Sequence, residues 1–467
     1  MNNLGRVLLG ALLGVVFVLP TFNFSSLSWH DWQRAGQIII FILCAFGLLA
    51  SNKAIYLSRF YSRFFCFFLL IGLISSSFSQ YRLWSLAEVS LLLGSIAIVF
   101  FIAWRCIGDG ERFDFLIINF LMMLCLLKVL QFFVSYVSAL SYGGGLSAEI
   151  ILDGFSNIRF YGQFITLVIP VLAFKLLSSD DKLIRVGVFL LLSCIWLIAI
   201  ASGTRGTWLG MGVAMLYMAC LSRLSRKWAC IQFSSFVFSL GLYFLFFSLI
   251  PRLLGLSVSG SALDRMTTTL SARDVIWLQA LEMVKNRPLL GYGPMHFASI
   301  YNDVAAHPHQ LFLQIASEWG GGALLIALIT VIRFLLRNTA TIKNGLLLNY
   351  KLQVLYVCLS ASFIASLSQG MVDGVFVMPY SQIWFSIITG WMVGVYYRGN
   401  EQAEGAERLD GFIQVKIWKL SFLLASLILV AIVFRDLSYL NWQGGGGEIN
   451  HWGYFKPRFW RQGIIAE

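Results

Sequence analysis

Residues 185–222 read RVGVFLLLSCIWLIAIASGTRGTWLGMGVAMLYMACLS. Two apolar runs, 185–203 and 207–222, meet at the break SGTRG, residues 202–206. Each run approaches the roughly 20 residues that a helix needs to cross a bilayer. One continuous buried helix is the competing reading. Two glycines flanking Arg205 favour a hairpin of two membrane spans. The same test applied outward finds spans at 5–24, 35–51, 64–79, 84–104, 113–140, 160–176, 229–250, 320–337, 352–369, 381–397 and 417–434. The expected fold is therefore all-α, a polytopic helical membrane protein of about 12–13 transmembrane helices with one large helical outer loop. Its expected parts are an N-terminal bundle of nine spans (1–250), a large loop (251–319), C-terminal spans (320–434) and an outer tail (435–467).

Composition agrees. Of 467 residues, 58% are hydrophobic and only 12% charged, with a mean hydropathy of +0.79. No soluble core hides that much apolar surface. A cytosolic enzyme, a nucleic-acid binder and a disordered scaffold are excluded. The net charge of +12 is divided among short loops, so it reports topology rather than nucleic acid. All eight cysteines lie in or beside apolar runs with no CxxC or metal spacing, which argues against a disulfide framework or zinc site. Arg6 before an apolar run resembles a signal peptide, but no small-x-small cleavage site follows Pro20, so the segment reads as a retained first helix.

Lys and Arg orient the chain. With the N-terminus in the cytoplasm, twenty basic residues flank the cytoplasmic ends. The short outer loops hold only Arg34, Arg82, Arg159 and Arg205. An odd number of spans puts the loop 251–319 and the tail on the outer side together.

Within the loop, Ser271-Ala-Arg-Asp274 resembles a capping box. Ile276, Trp277, Ala280, Met283 and Val284 then recur on one helical face, up to Asn286 and Pro288. A packing helix lying on the membrane domain is the plain reading. After the turn 286–294, NRPLLGYGP, comes Ala306-His-Pro-His-Gln310 and a second helix over 311–319, stopped by Gly320–Gly322, with Pro308 suited to its first turn.

This spacing puts His309 at a helix N-terminus on the outer face. Free N–H groups and the positive helix end attract phosphate and disfavour imidazolium. A neutral imidazole can take a proton from an attacking hydroxyl. Gln310, Gln314 and Glu318 follow at four-residue spacing as one polar stripe. The competing readings are two solvated histidines, or a His-x-His metal pair, for which only the distant His296 offers a third ligand. Arg159 and Arg205 break the sparse-basic pattern of the outer loops. Guanidinium grips phosphate with a forked geometry, although each can also snorkel to lipid headgroups. Glu88 and Lys128 are intramembrane ions, costly and either paired or functional. The chain has no GxxxxGK[ST] and no Asp-x-Asp, so neither an ATP motor nor a metal-bound sugar nucleotide is indicated, and a lipid-linked donor is favoured.

The run Asn286-Arg-Pro-Leu-Leu-Gly-Tyr-Gly293, with His307-Pro-His309-Gln310 and Glu318-Trp-Gly320, resembles the signature region of the O-antigen ligase superfamily. That superfamily includes O-antigen ligases, related polymerases and bacterial pilin O-oligosaccharyltransferases. Gln310 stands where the common pattern has Asn. The resemblance implies a metal-independent, inverting transfer of a glycan from undecaprenyl diphosphate on the periplasmic side of the bacterial inner membrane, without a cofactor. It implies that His309 is the essential histidine and that Arg159 and Arg205 bind the donor diphosphate. His307, Gln310, Glu318 and Arg287 are supporting candidates; whether Arg252, Arg265 or Arg273 shares the donor site stays open. The acceptor is a pilin-like protein, lipid A-core or a growing glycan. The extra last span, the tail and the His-Pro-His form favour a protein O-glycosyltransferase acting on a pilin. The tail itself can dock the acceptor or anchor on membrane lipid through its aromatics. A transporter or lipid flippase is the alternative of a different class; it should concentrate its ions at the bilayer midplane, whereas here they gather at the outer face.

Overall fold

The computed structural model describes residues 2–23, 27–51, 58–142, 146, 153–256, 272–347, 349–400, 412–442, 456–463 and 465. All thirteen apolar segments form helices: α1 (Asn2–Val18), α2 (Trp29–Ala50), α3 (Arg59–Ser77), α4 (Arg82–Asp109), α5 (Glu111–Ser141), α6 (Ile158–Ser178), α7 (Lys182–Ala201), α8 (Arg205–Ala219), α9 (Arg223–Phe244, continuing through a π-turn to Leu253), then α12 (Gly321–Lys343), α13 (Tyr350–Gln369), α14 (Pro379–Gly399) and α15 (Phe412–Trp442). The loop contributes α10 (Arg273–Asn286) and α11 (Leu311–Glu318). The protein is an all-α, polytopic membrane protein. Among the described residues, ten helices are long and apolar enough to cross a membrane. The other three expected spans are α1, α8 and α14, of 17, 15 and 21 residues.

The centre is made by α4 against α14, α6 against α13 and α8 against α13. Small residues allow these close crossings, as lipid-embedded packing requires. A side chain at Gly210 would meet Ala365 O at 2.5 Å, and one at Gly206 would meet Gln369 at 3.1 Å, so the Gly206-xxx-Gly210 face of α8 lies directly on α13. A side chain at Gly162 would meet Thr204 Oγ1 at 2.6 Å, and Thr207 Oγ1 donates to Gly162 O at 2.9 Å. The expected 202–206 break is a true turn, with Gly203 at φ 62°.

The loop and the tail share one face. Lys456 donates to Asn302 O, and Trp460 Nε1 donates to Asp436 Oδ2 at the end of α15. At the opposite face, Arg105 pairs with Asp109 and Arg398 with Asp114. The intramembrane ions are not partners of each other. Lys128 donates to Pro20 O and to Gln131 Oε1, whereas Glu88 faces Arg458 of the tail at 3.6 Å.

Two details of the loop differ from expectation. Helix α10 starts at Arg273 after Ala272 in the left-handed region, with no side-chain cap; Ser271 and Arg265 lie outside the described residues. Helix α11 starts at Leu311, so Pro308 precedes it, because His309 is itself left-handed at φ 53° and interrupts the helical path. The apolar face of α10 behaves as expected: Ile276, Ala280 and Met283 bury against Phe297, with Leu313 of α11 alongside.

The turn 286–294 clips onto the end of α11. Tyr292 N donates to Ser317 O (3.0 Å), Gly293 N to Glu318 O (2.9 Å) and Gly321 N to Pro288 O (2.8 Å). Gly320 sits at φ 88°, ψ 174°, a region reserved in practice for glycine, and a side chain there would strike Leu289 O. Gly320→Ala is therefore expected to cost about 1–3 kcal/mol. A lowered midpoint of thermal unfolding in detergent checks this, and an unchanged midpoint would count against a rigid clip.

Candidate active site

Five elements converge at the loop-bearing face: the starts of α6, α8, α10 and α11, and the α13–α14 connection. Each is aimed by a local device. Asn157 caps α6 by accepting from Arg159 N at 2.8 Å, which fixes the turn that carries Arg159. The close Gly162–Thr204 crossing brings that turn to the start of α8, where Arg205 follows Thr204. Gln310 caps α11 through its side-chain oxygen, which accepts from Leu313 N. Leu311 N donates to Gly370 O at 2.9 Å, tying α11 to the end of α13, and Trp277 Nε1 of α10 donates to Pro308 O at 3.0 Å.

His309 lies inside this frame with its side chain only 13% exposed, and its Nδ1 is 3.8 Å from Asp373 Oδ1. The left-handed backbone at His309 is held by His307, whose Nδ1 accepts the His309 N–H at 3.3 Å; the two rings are 4.0 Å apart. That bond leaves His307 Nδ1 without a proton, consistent with a ring buried to 2% exposure. Burial pushes His307 well below the ordinary histidine range, and the charges of His309, Arg458 and Arg159 add to it.

His309 is pushed down to about 3, first by burial and then by the charges of Arg159 and Arg273. It is therefore neutral at physiological pH, as expected, but the causes are desolvation and arginines rather than the helix end alone. Arg273 in turn feels Arg159, Asp373 and Arg205. Among the described residues its buried Nε has no hydrogen-bond partner. Two guanidinium groups, Arg159 and Arg273, thus act on one neutral imidazole, with Arg205 acting on Arg273.

Asp373 was not singled out by the sequence reading. It accepts from Gln163 Nε2 (3.0 Å), Gln369 Nε2 (3.1 Å) and Gly374 N (2.7 Å). Burial pushes its carboxyl upward, while these donors and Arg159 favour the charged form. Gln163 in turn accepts from Ser381 Oγ at 3.1 Å. The only signal available in the sequence was an acidic residue, Asp373, between two span ends that are otherwise short of acids.

The remaining candidates have other positions. Gln314 and Glu318 do continue the stripe from Gln310, but both are buried and face Arg458 rather than solvent. Glu318 accepts from Phe297 N at 3.0 Å and pairs with Arg458 at 2.7 Å. Arg287 is exposed and stacks over the Tyr292 ring at 4.8 Å, on the clip rather than in the His309 cluster. His296 is engaged elsewhere, with Nε2 accepting from Tyr81 N at 2.9 Å.

Beside α11 a cavity of about 430 Å3 runs between α3, α4, α12, α13 and α14. Phe65, Phe68, Leu92, Phe334, Phe363 and Phe385 line it, and it ends against Leu311, Gln314 and Trp319. No curated protein matches this chain. Residues 187–328, which contain Arg205, Arg273, His309 and Glu318, match the Wzy_C family, described as O-antigen ligase. By that match, the segment that carries Arg205, Arg273 and His309 is similar to the O-antigen ligase family.

Proposed function

We propose that the protein transfers a preassembled glycan from undecaprenyl diphosphate to an acceptor hydroxyl at the periplasmic face of the bacterial inner membrane, and that the acceptor is a protein of the type IV pilin kind. The observation that carries this reading is a neutral His309 under the charges of Arg159 and Arg273 and backed by Asp373, with Arg205 acting on Arg273. In the proposed step, His309 with Nδ1–H toward Asp373 accepts the acceptor hydroxyl proton at Nε2. The acceptor oxygen forms its bond to the anomeric carbon from the face opposite the leaving group. The carbon–oxygen bond to the diphosphate breaks, and its electrons stay on the diphosphate oxygen. The arginines stabilise that charge as it develops. Asp373 stabilises the imidazolium, the role of the third group in a triad; its 3.8 Å separation fits a site that tightens on substrate binding. Diphosphate is already a good leaving group, so no general acid is required. The apolar cavity beside α11 suits the hydrocarbon of a lipid-linked substrate.

The family description favours a second reading, transfer of O-antigen to lipid A-core. Cells lacking the protein decide between them. Pilin is expected to lose one glycan mass while lipopolysaccharide stays normal, and wild type but not His309→Ala should restore it. Free core with accumulated lipid-linked polymer would instead establish the ligase reading.

A further inference from the structure

We propose that the C-terminal segment 456–463 is a strap that completes the site, and that its Arg458 is a positioning residue for transfer. The proposal rests on the transferase reading above, with Arg458 acting through α11 and touching no substrate. The strap is held at both ends and in the middle. Lys456 donates to Asn302 O in the loop, Arg461 N donates to Asp31 Oδ1 of α2 at 2.7 Å, and Trp460 Nε1 donates to Asp436 at 2.8 Å. Buried Arg34 of α2 donates to the carbonyls of both Phe459 and Arg458, each at 3.1 Å. A side chain at Gly463 would lie 3.0 Å from Ala306, the residue before His307.

The guanidinium of Arg458 is 1% exposed and enters a pocket of carboxylates. It donates to Glu318 Oε1 and Oε2 at 2.9 and 2.7 Å and lies 3.6 Å from Glu88 Oε1 of α4. With the Gln314 amide oxygen turned toward it, it also donates there at 3.1 and 3.2 Å. Gln314 and Glu318 lie one turn apart on α11, the helix that begins two residues after His309. At 8 residues α11 is too short to hold its own shape, so its direction depends on what clamps it. A cation at its C-terminal end also suits the helix dipole. Without Arg458, two acidic groups, Glu318 at 0% exposure and Glu88, would face each other across the seam between loop and membrane helices. An uncompensated buried charge is strongly destabilising to the packing around it. The seam therefore closes around His309 only when the far end of the chain reaches the loop side. Segment 456–463 lies outside the family-matched residues 187–328.

The test uses the purified full chain with a lipid-linked glycan donor and a hydroxyl acceptor, with rates referred to the amount of donor-binding protein. Arg458→Met is expected to lower kcat about 10- to 100-fold, the scale of an ångström misplacement, with donor KM within about twofold. Arg458→Lys, which keeps the charge, should recover part of kcat. Hydrogen exchange read by mass spectrometry should quicken in 456–463 and in 305–318 together in Arg458→Met. Wild-type kcat in Arg458→Met overturns the proposal, as does exchange that quickens in the strap but not in 305–318. The exchange result stands even if the wild-type protein transfers nothing, an outcome that would count against the transferase reading and not against the strap.

Discussion

His309→Asn is expected to lower kcat about 1,000-fold, within the range for loss of a general base, while donor affinity stays within about twofold. The choice of asparagine matters. His309 has φ 53°, and its neighbour His307 accepts its N–H to hold that shape. Asparagine is among the few residues that adopt the left-handed region readily. The variant therefore keeps the entry to α11 and removes only the proton acceptor. Alanine at the same position also removes the base, and it adds backbone strain to the loss. Comparing the two separates chemistry from folding. Equal loss in both, with donor binding retained, assigns the effect to the imidazole. A His309→Asn enzyme that keeps more than about a tenth of wild-type kcat would show that the acceptor hydroxyl needs no base here, far below the loss general-base catalysis implies.

The sequence made the membrane helices and the turns between them legible for different reasons. Lipid leaves the backbone no partner but itself, so each span must be a long apolar helix, and length with hydropathy finds it. The turn at Gly203 and the helix stop at Gly320 were legible because positive φ selects glycine. Pro308 misled because proline's fit to a first helical turn is a local preference, while the left-handed His309 after it is held by His307, and Leu311 N is tied to Gly370 O just past α13. Asp373 was invisible for a related reason. Its relation to His309 is made by α8 lying on α13 through Gly206 and Gly210, and by Gln163 from α6, none of which has a sequence spacing. Arg458 was the most distant case. A basic residue in an aromatic tail reads as a surface anchor, and only the packed structure reveals the buried Glu318 and the half-buried Glu88 waiting for it. That burial also disfavours segment 456–463 as an exposed platform for an acceptor.

Replacing Arg159 by alanine should raise donor KM about 10- to 100-fold, the scale of one charge-assisted phosphate contact, and it should also move the pH dependence in a defined direction. In the free enzyme, Arg159 is the foremost of the charges that hold His309 down to about 3. No histidine limb is therefore expected in kcat/KM between pH 5 and 8, because kcat/KM reports the free enzyme. Diphosphate bound beside Arg159 and Arg273 brings negative charge that cancels part of their field. The histidine in the donor complex then titrates higher, so kcat, which reports the complex, should fall with pH before kcat/KM does. By linkage the donor must bind more tightly as pH falls between the two values, so KM drops alongside kcat and their ratio stays level. Arg159→Ala removes a depressing charge from the free enzyme, so its acid limb in kcat/KM should move upward toward the ordinary histidine range. Full pH profiles of kcat and kcat/KM for wild type and Arg159→Ala check each step. A wild-type kcat/KM limb near the unperturbed histidine value would mean that the arginines do not act on His309, and the coupling of donor charge to the base would fall with it.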